Sequence, residues 1–210
     1  MTVDPGLFLV LDGTEGSGKS TQSRFLEKQL TSLGRKVIVV RDPGTTRIGE
    51  QVRAILLDPA HAEMAMRTEM LLYMSARAQM MAEIIAPALS GGQTVICDRF
   101  VSSTLAYQLG GDGITASEIR SVAEIAIKGR WPDLTILLDL PADKSLARVT
   151  RAKDRIEQRP MAYHEQVRRN YLAQARNDPQ RYRVIDADRP PENVAADVWR
   201  EVAEFVKELQ

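Results

Sequence analysis

The sequence feature that most constrains the fold is a glycine-rich segment, residues 13–20, between an apolar run and a helical pattern. Its letters, GTEGSGKS, fit the pattern G-x-x-x-x-G-K-[ST] of a phosphate-binding loop. Glycines let the backbone curl so that several amides point at one anion, and the following helix N-terminus adds positive charge. Lys19 is expected to span the β- and γ-phosphates, and the Ser20 hydroxyl to hold Mg²⁺. The segment predicts nucleoside-triphosphate binding.

Short apolar runs alternate with helical patterns along the whole chain. We predict strands at 6–12, 36–41, 94–98, 133–140 and 183–186, and helices at 20–33, 47–57, 67–89, 117–128, from 142, at 161–177 and at 192–209. Apolar strands of this kind are buried on both faces, and alternation with helices produces a parallel sheet. The predicted fold is an α/β protein: a three-layer α/β/α sandwich with a five-stranded parallel sheet, of P-loop NTPase type, in one domain.

Composition excludes several other classes of protein. The formal net charge of zero argues against a non-specific nucleic-acid binder or a polybasic membrane binder. Cys97 is the only cysteine, which excludes an intrachain disulfide and a cysteine metal cluster. Apolar runs fall short of the about 18 residues of a membrane span, and the N-terminus has no secretory-signal pattern. We therefore expect a cytoplasmic protein with neither nucleic acid nor a membrane as partner.

Ligands of parallel sheets bind beyond the carboxyl ends of the strands, which points to residues 12–20, 41–47 and 98–108 and to the segment after residue 140. Further motifs lie along the chain. They occupy residues 41–44, 73–77, 98–100, 102–108, 130–134, 154–157 and 185–187. In this order and spacing, residues 7–188 resemble the bacterial thymidylate kinases, which are P-loop nucleoside-monophosphate kinases. The resemblance implies transfer of the γ-phosphoryl group of ATP to dTMP with Mg²⁺, giving dTDP, by a homodimer.

The resemblance also implies an acceptor site for dTMP. Its members are Asp12, Arg41, Asp42, Arg53, Tyr73, Arg77, Arg99, Ser103, Tyr107 and Gln108. Arg41 and Arg53 would bind the acceptor phosphate, and Arg99 would bridge it to the γ-phosphate of the donor. Tyr107 would pack beneath the sugar, where a 2′-hydroxyl would otherwise lie.

The base would be held from two helices. Tyr73 and Arg77 are four residues apart and therefore share a helix face. The resemblance implies that the tyrosine ring stacks on thymine and that the arginine donates to a carbonyl oxygen of the base. Gln108, assisted by Ser103, would bond the thymine edge.

On the donor side, the resemblance implies a loop, a metal and a lid around residues 148–160. The cofactor-binding set is Gly13, Glu15, Gly16, Ser17, Gly18, Lys19, Ser20, Thr21, Arg148 and Arg151, and the metal set is Ser20 and Asp98. Glu15 would lie near the acceptor 3′-hydroxyl and the metal. Arg155 would close from the lid and act with Lys19 and Arg99 as a catalytic residue, because phosphoryl transfer needs charge neutralisation.

The motifs leave two alternatives open: a P-loop kinase for another nucleoside monophosphate or a free deoxynucleoside, and a nucleotide switch without catalysis. Four positions also depart from the family pattern. Asp12 and Asp42 stand where the family has glutamate, Thr45 replaces glycine, and Tyr73 replaces phenylalanine. These departures concern substrate affinity more than reaction type.

Overall fold

The computed structural model describes residues 6–208, and its centre is one sheet of five parallel strands. The strands are β1 Phe8–Gly13, β2 Val37–Arg41, β3 Thr94–Asp98, β4 Leu134–Asp139 and β5 Tyr182–Asp186. They lie in the order β2-β3-β1-β4-β5. Every strand end falls within about two residues of its predicted position. The predicted five-stranded parallel sheet is confirmed.

Nine α-helices connect the strands or follow them within the described residues. They are α1 Lys19–Ser32, α2 Arg47–Leu57, α3 Met66–Met80, α4 Ala86–Ser90, α5 Val101–Tyr107, α6 Ala116–Ile127, α7 Ala142–Ala147, α8 Met161–Asn177 and α9 Pro191–Glu208. The predicted helix over residues 67–89 is interrupted by a π-helical segment, Met81–Ile85. No helix within residues 6–208 has the length and apolar character needed to cross a bilayer.

Alternating side chains of β1 divide the core into two layers, one on each face of the sheet. Phe8 and Val10 pack with side chains of α3, α5 and α6. Leu9 and Leu11 pack against side chains of α1 and α9. All four are fully buried, and burial of each such side chain contributes about 1.5–3 kcal/mol to folding. The predicted three-layer α/β/α sandwich is confirmed.

The register of the sheet gathers three strand ends at one edge. Leu11 in β1 and Arg41 in β2 both align with Asp98, the last residue of β3. The segments that follow β1, β2 and β3 therefore start close together. Most of the predicted functional residues belong to these segments or to the helices that they enter.

Candidate active site

The glycine-rich segment forms a tight loop between β1 and α1. Gly16 and Gly18 have φ angles of 68° and 95°, in the left-handed region that favours glycine. A Cβ atom on Gly16 would lie 2.6 Å from the carbonyl oxygen of Ser145, so space as well as conformation requires glycine there. The loop leads directly into the N-terminus of α1, as an anion-binding loop should.

Lys19 lies beneath this loop, with its ammonium group held by backbone carbonyls. Its Nζ donates to the carbonyl oxygens of Thr14 at 2.7 Å and Gly13 at 3.1 Å. Burial, reinforced by the nearby charge of Arg99, lowers the pKa of Lys19 from 10.5 to about 8. The protonated form carries the positive charge that a phosphate group would meet.

Ser20 and Asp98 form the predicted metal pair. The Ser20 hydroxyl donates to Asp98 Oδ2 at 2.7 Å across the gap between α1 and β3. Within residues 6–208 no cluster of three or more histidine, cysteine or acidic side chains is placed to hold a metal. Two oxygen ligands fit Mg²⁺, which keeps several waters and takes its other ligands from substrate phosphates.

Arg99 lies between the phosphate loop and α5. One guanidinium nitrogen donates to Ser103 and Tyr171, both at 3.1 Å, and the other donates to Glu15 at 3.1 Å. Burial alone would lower its pKa, but Tyr107, Tyr171 and the nearby carboxylates raise the pKa well above its usual value. Arg99 is therefore a permanent cation held in a fixed position.

Glu15 faces Arg99 from the loop. Its Oε1 accepts a hydrogen bond of 2.6 Å from the Tyr107 hydroxyl, and its Oε2 is enclosed without a partner among the described residues. Burial works to raise the pKa of Glu15, but the charges of Arg99 and Lys19 outweigh it and lower the pKa. The loop therefore contributes a negative charge beside its two cations.

Asp12 is predicted to contact the substrate, but the structure places its side chain in the interior. It has no exposed surface, and its carboxylate accepts hydrogen bonds from Ser102 at 2.5 Å, Tyr171 at 2.6 Å and Ser103 at 2.8 Å. The amide of Gly13 donates to it as well. These donors saturate the carboxylate, so Asp12 holds surrounding side chains in place and presents no free atom to a substrate.

A cavity beside Arg99 brings together eight of the ten predicted acceptor residues. They are Asp42, Arg53, Tyr73, Arg77, Arg99, Ser103, Tyr107 and Gln108, and Glu15 and Arg151 line it too. We call this the acceptor cavity. Asp12 and Arg41 do not line it.

At the inner end of the acceptor cavity, Arg77 is fully buried and pairs with Asp42. Its Nε donates to Asp42 Oδ2 at 2.7 Å, and its Nη2 donates to the carbonyl oxygen of Phe100 at 3.0 Å. Its Nη1 has only the weak sulfur acceptor of Met74 at 3.0 Å and a hydroxyl at 3.4 Å. Nη1 is therefore the most weakly partnered nitrogen of Arg77, and both Arg77 and Tyr73 line the acceptor cavity.

Arg41 lies outside the acceptor cavity, contrary to prediction. Its guanidinium bonds the Glu50 carboxylate at 2.9 Å, and 51% of its side chain is exposed. Successive side chains of a strand point to opposite faces, and Val40 already faces the α3 side, where the acceptor cavity lies. Arg41 therefore faces the cleft of Ser20 and Asp98. Of the two arginines predicted for the acceptor phosphate, only Arg53 lines the acceptor cavity.

Arg155 lies in the interior, away from the phosphate loop. Its Nε donates to the carbonyl oxygen of Leu56 at 2.8 Å and its Nη2 to Glu69 at 2.6 Å, and 7% of its surface is exposed. A turn at Asp154 accounts for this inward position of Arg155. The Asp154 carboxylate accepts hydrogen bonds from the backbone amides of Ile156 and Glu157. In the structure, Arg155 does not have the predicted lid position beside the transferred group.

Two further lid arginines, Arg151 and Arg148, lie nearer the nucleotide sites. Arg151 pairs with Glu157 at 2.7 Å, keeps 61% of its side chain exposed, and lines the acceptor cavity. Arg148 donates to the carbonyl oxygen of Gly16 at 3.4 Å. It lines a small cleft with the predicted cofactor residues Ser17, Gly18 and Thr21.

Sequence reasoning missed Tyr171 and Glu69. Tyr171 is buried on α8 and joins Asp12, Ser103 and Arg99 by hydrogen bonds. Glu69 lies four residues before Tyr73, on the same face of α3, and is also buried. The four-residue spacing of Glu69, Tyr73 and Arg77 was a usable signal, whereas the long-range position of Tyr171 left none in the sequence.

A larger cavity, of about 550 Å³, lies elsewhere. It includes Trp131, Thr135 and Tyr182, and the last two stand at the amino-terminal starts of β4 and β5. None of the predicted site residues lines it. Size alone therefore does not identify the chemical site, and the convergence of charged side chains does.

Comparison with known proteins gives the same family at every level. A sequence model of the family "Thymidylate kinase" matches residues 11–198. The thymidylate kinase of Deinococcus radiodurans is 43% identical over 95% of this chain and 97% of its own length. That of Pelotomaculum thermopropionicum is 44% identical over 96% and 94%. A crystal structure of thymidylate kinase from Ehrlichia chaffeensis superposes with a TM-score of 0.77 at 30% identity, over 95% and 99% of the two chains.

Proposed function

The chain belongs to the thymidylate kinase family, and on that premise we propose which of its residues perform each part of the reaction. It is a phosphotransferase that converts dTMP to dTDP. One observation supports the assignment of residues best: Arg99 lines the acceptor cavity and also contacts Glu15 of the phosphate loop. A donor phosphate on the loop and an acceptor phosphate in the cavity would therefore meet at Arg99.

ATP is the proposed phosphoryl donor. Its phosphates would lie against the amides of residues 13–21, with the Lys19 ammonium between the β- and γ-phosphates. The cleft of Ser17, Thr21 and Arg148 continues from the loop toward Ala187 and is the proposed place of the adenosine part.

Mg²⁺ is the proposed metal, held by the Ser20 hydroxyl and, directly or through water, by Asp98. When bound, Mg²⁺ would supply positive charge to the β- and γ-phosphate oxygens. The short bond between Ser20 and Asp98 supports this assignment, because it already aligns the two oxygen ligands. Asp98 thereby restrains the hydroxyl that faces the donor.

The acceptor phosphate of dTMP would bind Arg99 and Arg53. Both guanidinium groups line the acceptor cavity, and paired arginines suit the planar, multiple-bond recognition of phosphate. Ser103 and Tyr107 line the neighbouring wall and are the proposed contacts of the deoxyribose. Glu15, bonded to Tyr107, lines the same cavity and is the proposed acceptor of a hydrogen bond from the sugar hydroxyl.

Thymine would occupy the inner end of the acceptor cavity. Tyr73 is the proposed stacking partner, and Arg77 would donate from Nη1 to a carbonyl oxygen of the base. Gln108 also lines the acceptor cavity and would bond the base edge. Asp42 fixes the Arg77 guanidinium from behind, which makes it a positioning residue in this proposal.

Transfer itself would depend on alignment and charge neutralisation rather than on a covalent intermediate with the protein. Lys19 and Arg99 would stabilise the charge of the transferred group. Arg151 takes the lid role in this proposal, because its exposed guanidinium lines the acceptor cavity, whereas Arg155 is committed to Glu69. Rotation of Arg151 from Glu157 toward the phosphates would complete the cationic shell.

We also propose that the protein is a cytoplasmic homodimer. Leu71 on α3 and Ile125 on α6 are 48% and 81% exposed, and α3 packs against α6. Exposed apolar side chains on two neighbouring helices are typical of a surface that covers itself in a symmetric dimer.

The direct test is to incubate the purified protein with ATP, Mg²⁺ and dTMP and to separate the products by ion-exchange chromatography. Formation of dTDP and ADP in equal amounts is expected, and the variant Lys19→Met should form neither at a comparable rate. ADP without dTDP would show hydrolysis instead of transfer and would contradict the proposal.

A further inference from the structure

Glu69 connects Gln108, a proposed base contact, to the lid segment of residues 148–160, although Glu69 itself does not line the acceptor cavity. It is fully buried on α3. Its Oε1 accepts a hydrogen bond of 2.7 Å from Gln108 Nε2. Its Oε2 accepts from Arg155 at 2.6 Å and from Arg159 at 2.7 Å. One buried carboxylate therefore fixes three side chains that come from two distant parts of the chain.

The contact with Glu69 determines which way round the Gln108 amide lies. A carboxylate accepts hydrogen bonds, and Glu69 already accepts from the guanidinium groups of Arg155 and Arg159. Gln108 must therefore turn its NH₂ group toward Glu69, which leaves its carbonyl oxygen pointing the other way. That oxygen accepts no hydrogen bond from the described residues, and it is not among the enclosed polar atoms that lack a partner. It is therefore the part of Gln108 that reaches the acceptor cavity.

The base would thus meet one acceptor and one donor. Gln108 presents a carbonyl oxygen, and Arg77 presents the weakly partnered N–H groups of Nη1. This pattern complements an imide pyrimidine, which has an N3–H group beside a carbonyl oxygen. An aminopyrimidine has the reverse pattern, a bare N3 beside an NH₂ group, so it would place acceptor against acceptor and donor against donor.

We propose that Glu69 determines base specificity as a positioning residue: it locks the Gln108 amide so that the cavity accepts imide pyrimidines and rejects aminopyrimidines. This inference rests on the proposed function, in which Gln108 contacts the base. Without the carboxylate, the amide could turn over and donate to a bare N3. A site whose buried polar groups are left unpaired by the wrong substrate discriminates strongly against it.

The test compares dTMP with 5-methyl-dCMP, which has the same 5-methyl group and nearly the same shape but the reversed hydrogen-bonding pattern. The measured quantity is kcat/KM for dTMP divided by kcat/KM for 5-methyl-dCMP. In Glu69→Gln this ratio should fall by about tenfold or more, because a neutral amide at position 69 can donate as well as accept. Glu69→Asp keeps the charge beside the two arginines but withdraws the carboxylate from Gln108, and its ratio should fall as well.

A double-mutant cycle separates this role from a purely structural one. In the Gln108→Ala background, Glu69→Gln should leave the ratio unchanged within about twofold, because no amide remains to be oriented. Arg159→Gln removes a partner of Glu69 without touching Gln108, and it should lower thermal stability with the ratio retained.

An unchanged ratio in the folded Glu69 variants, or an equal fall with and without Gln108, would overturn the inference. Absence of dTMP phosphorylation by the unmutated protein would instead count against the proposed function. The two failures are therefore distinguishable. If Glu69→Gln does not fold, Glu69→Asp decides the question by the same ratio.

Discussion

At the scale of single residues, the central feature is Arg99, which connects the phosphate loop to the acceptor cavity. Its φ angle of 71° lies in a region that non-glycine residues seldom occupy, and its guanidinium contacts Glu15 on one side and Ser103 on the other. A backbone conformation of this kind persists only when the surroundings hold it in place. The Arg99 amide donates to the carbonyl oxygen of Leu11 at 3.0 Å. Asp12 and Tyr171 hold the guanidinium, although neither would touch a substrate.

We therefore expect Arg99→Ala to lower kcat by about 100-fold or more, because charge on the transferred group would lose a fixed cation. Steady-state kinetics with dTMP and ATP measure the loss, and circular dichroism checks that the fold is retained. Arg53→Ala is the matched variant: it should raise the KM for dTMP more than it lowers kcat. Near-normal turnover in Arg99→Ala would remove this residue from the mechanism.

Lys19 gives the site a pH dependence. Its pKa is lowered to about 8 in the fold, so raising the pH through 8 removes the charge that the loop needs. We expect kcat/KM for ATP, which reports ionisations of the free enzyme, to fall by about tenfold per pH unit above 8. A rate profile over pH 6.5–10, each point checked for native fluorescence, measures it. A flat profile up to pH 9.5 would show that Lys19 keeps its proton.

At the scale of elements, the arginines of the segment 148–160 lie in different environments. Arg155 is buried against Glu69, whereas Arg151 is exposed at the acceptor cavity. The sequence alone does not distinguish them, because both lie among charged residues on a short segment without strong periodicity. The turn that Asp154 forms decides which side chain points inward.

The two arginines should therefore respond oppositely to substitution. Arg155→Ala is expected to lower the free energy of unfolding by about 3 kcal/mol, since it leaves Glu69 partly uncompensated in the interior. Arg151→Ala should lower kcat by about tenfold or more and change stability little. Urea unfolding and steady-state kinetics on both variants give the comparison. If the two variants were equally stable and Arg155→Ala lost more kcat, Arg155 would be the catalytic lid arginine, as the sequence alone predicts.

The sequence predicted the elements well and the contacts between them less well. Apolar runs and the phosphate loop identify β1 to β5, because burial on both faces leaves a clear pattern. The π-helical segment at Met81–Ile85 leaves no such pattern. The direction of Arg41 follows from strand alternation combined with the position of the acceptor cavity, and that position is known only from the fold. Tyr171 joins the site across 159 residues of sequence from Asp12, a distance over which local patterns carry no information.

At the scale of the whole molecule, the two cores meet at β1, and the site lies beyond the carboxyl end of that strand. The proposed dimer face lies on α3, whose buried side carries Glu69 and Arg77. The helix that holds the base would thereby also be braced by a second copy. Assembly and base recognition would depend on the same element.

The variant Ile125→Glu tests that arrangement. A charge at this exposed position should oppose burial in a symmetric interface, where it would meet its own copy. We expect the native protein to elute as a dimer and Ile125→Glu as a monomer in size-exclusion chromatography with light scattering. Ile55→Glu, on α2, is a control of comparable chemistry at another exposed apolar position. A native protein that is monomeric at micromolar concentration would contradict the proposed dimer.

The central claim is that a phosphoryl donor on the loop and dTMP in the acceptor cavity react at Arg99. Its most direct test is the rate of ADP release from ATP and Mg²⁺ with dTMP, dUMP, dCMP, dGMP, ribosyl-TMP or thymidine as acceptor. We predict rapid release with dTMP, slower release with dUMP, and little with the others. Similar rates with all the monophosphates would contradict the assignment of Tyr73, Arg77 and Gln108 to the base.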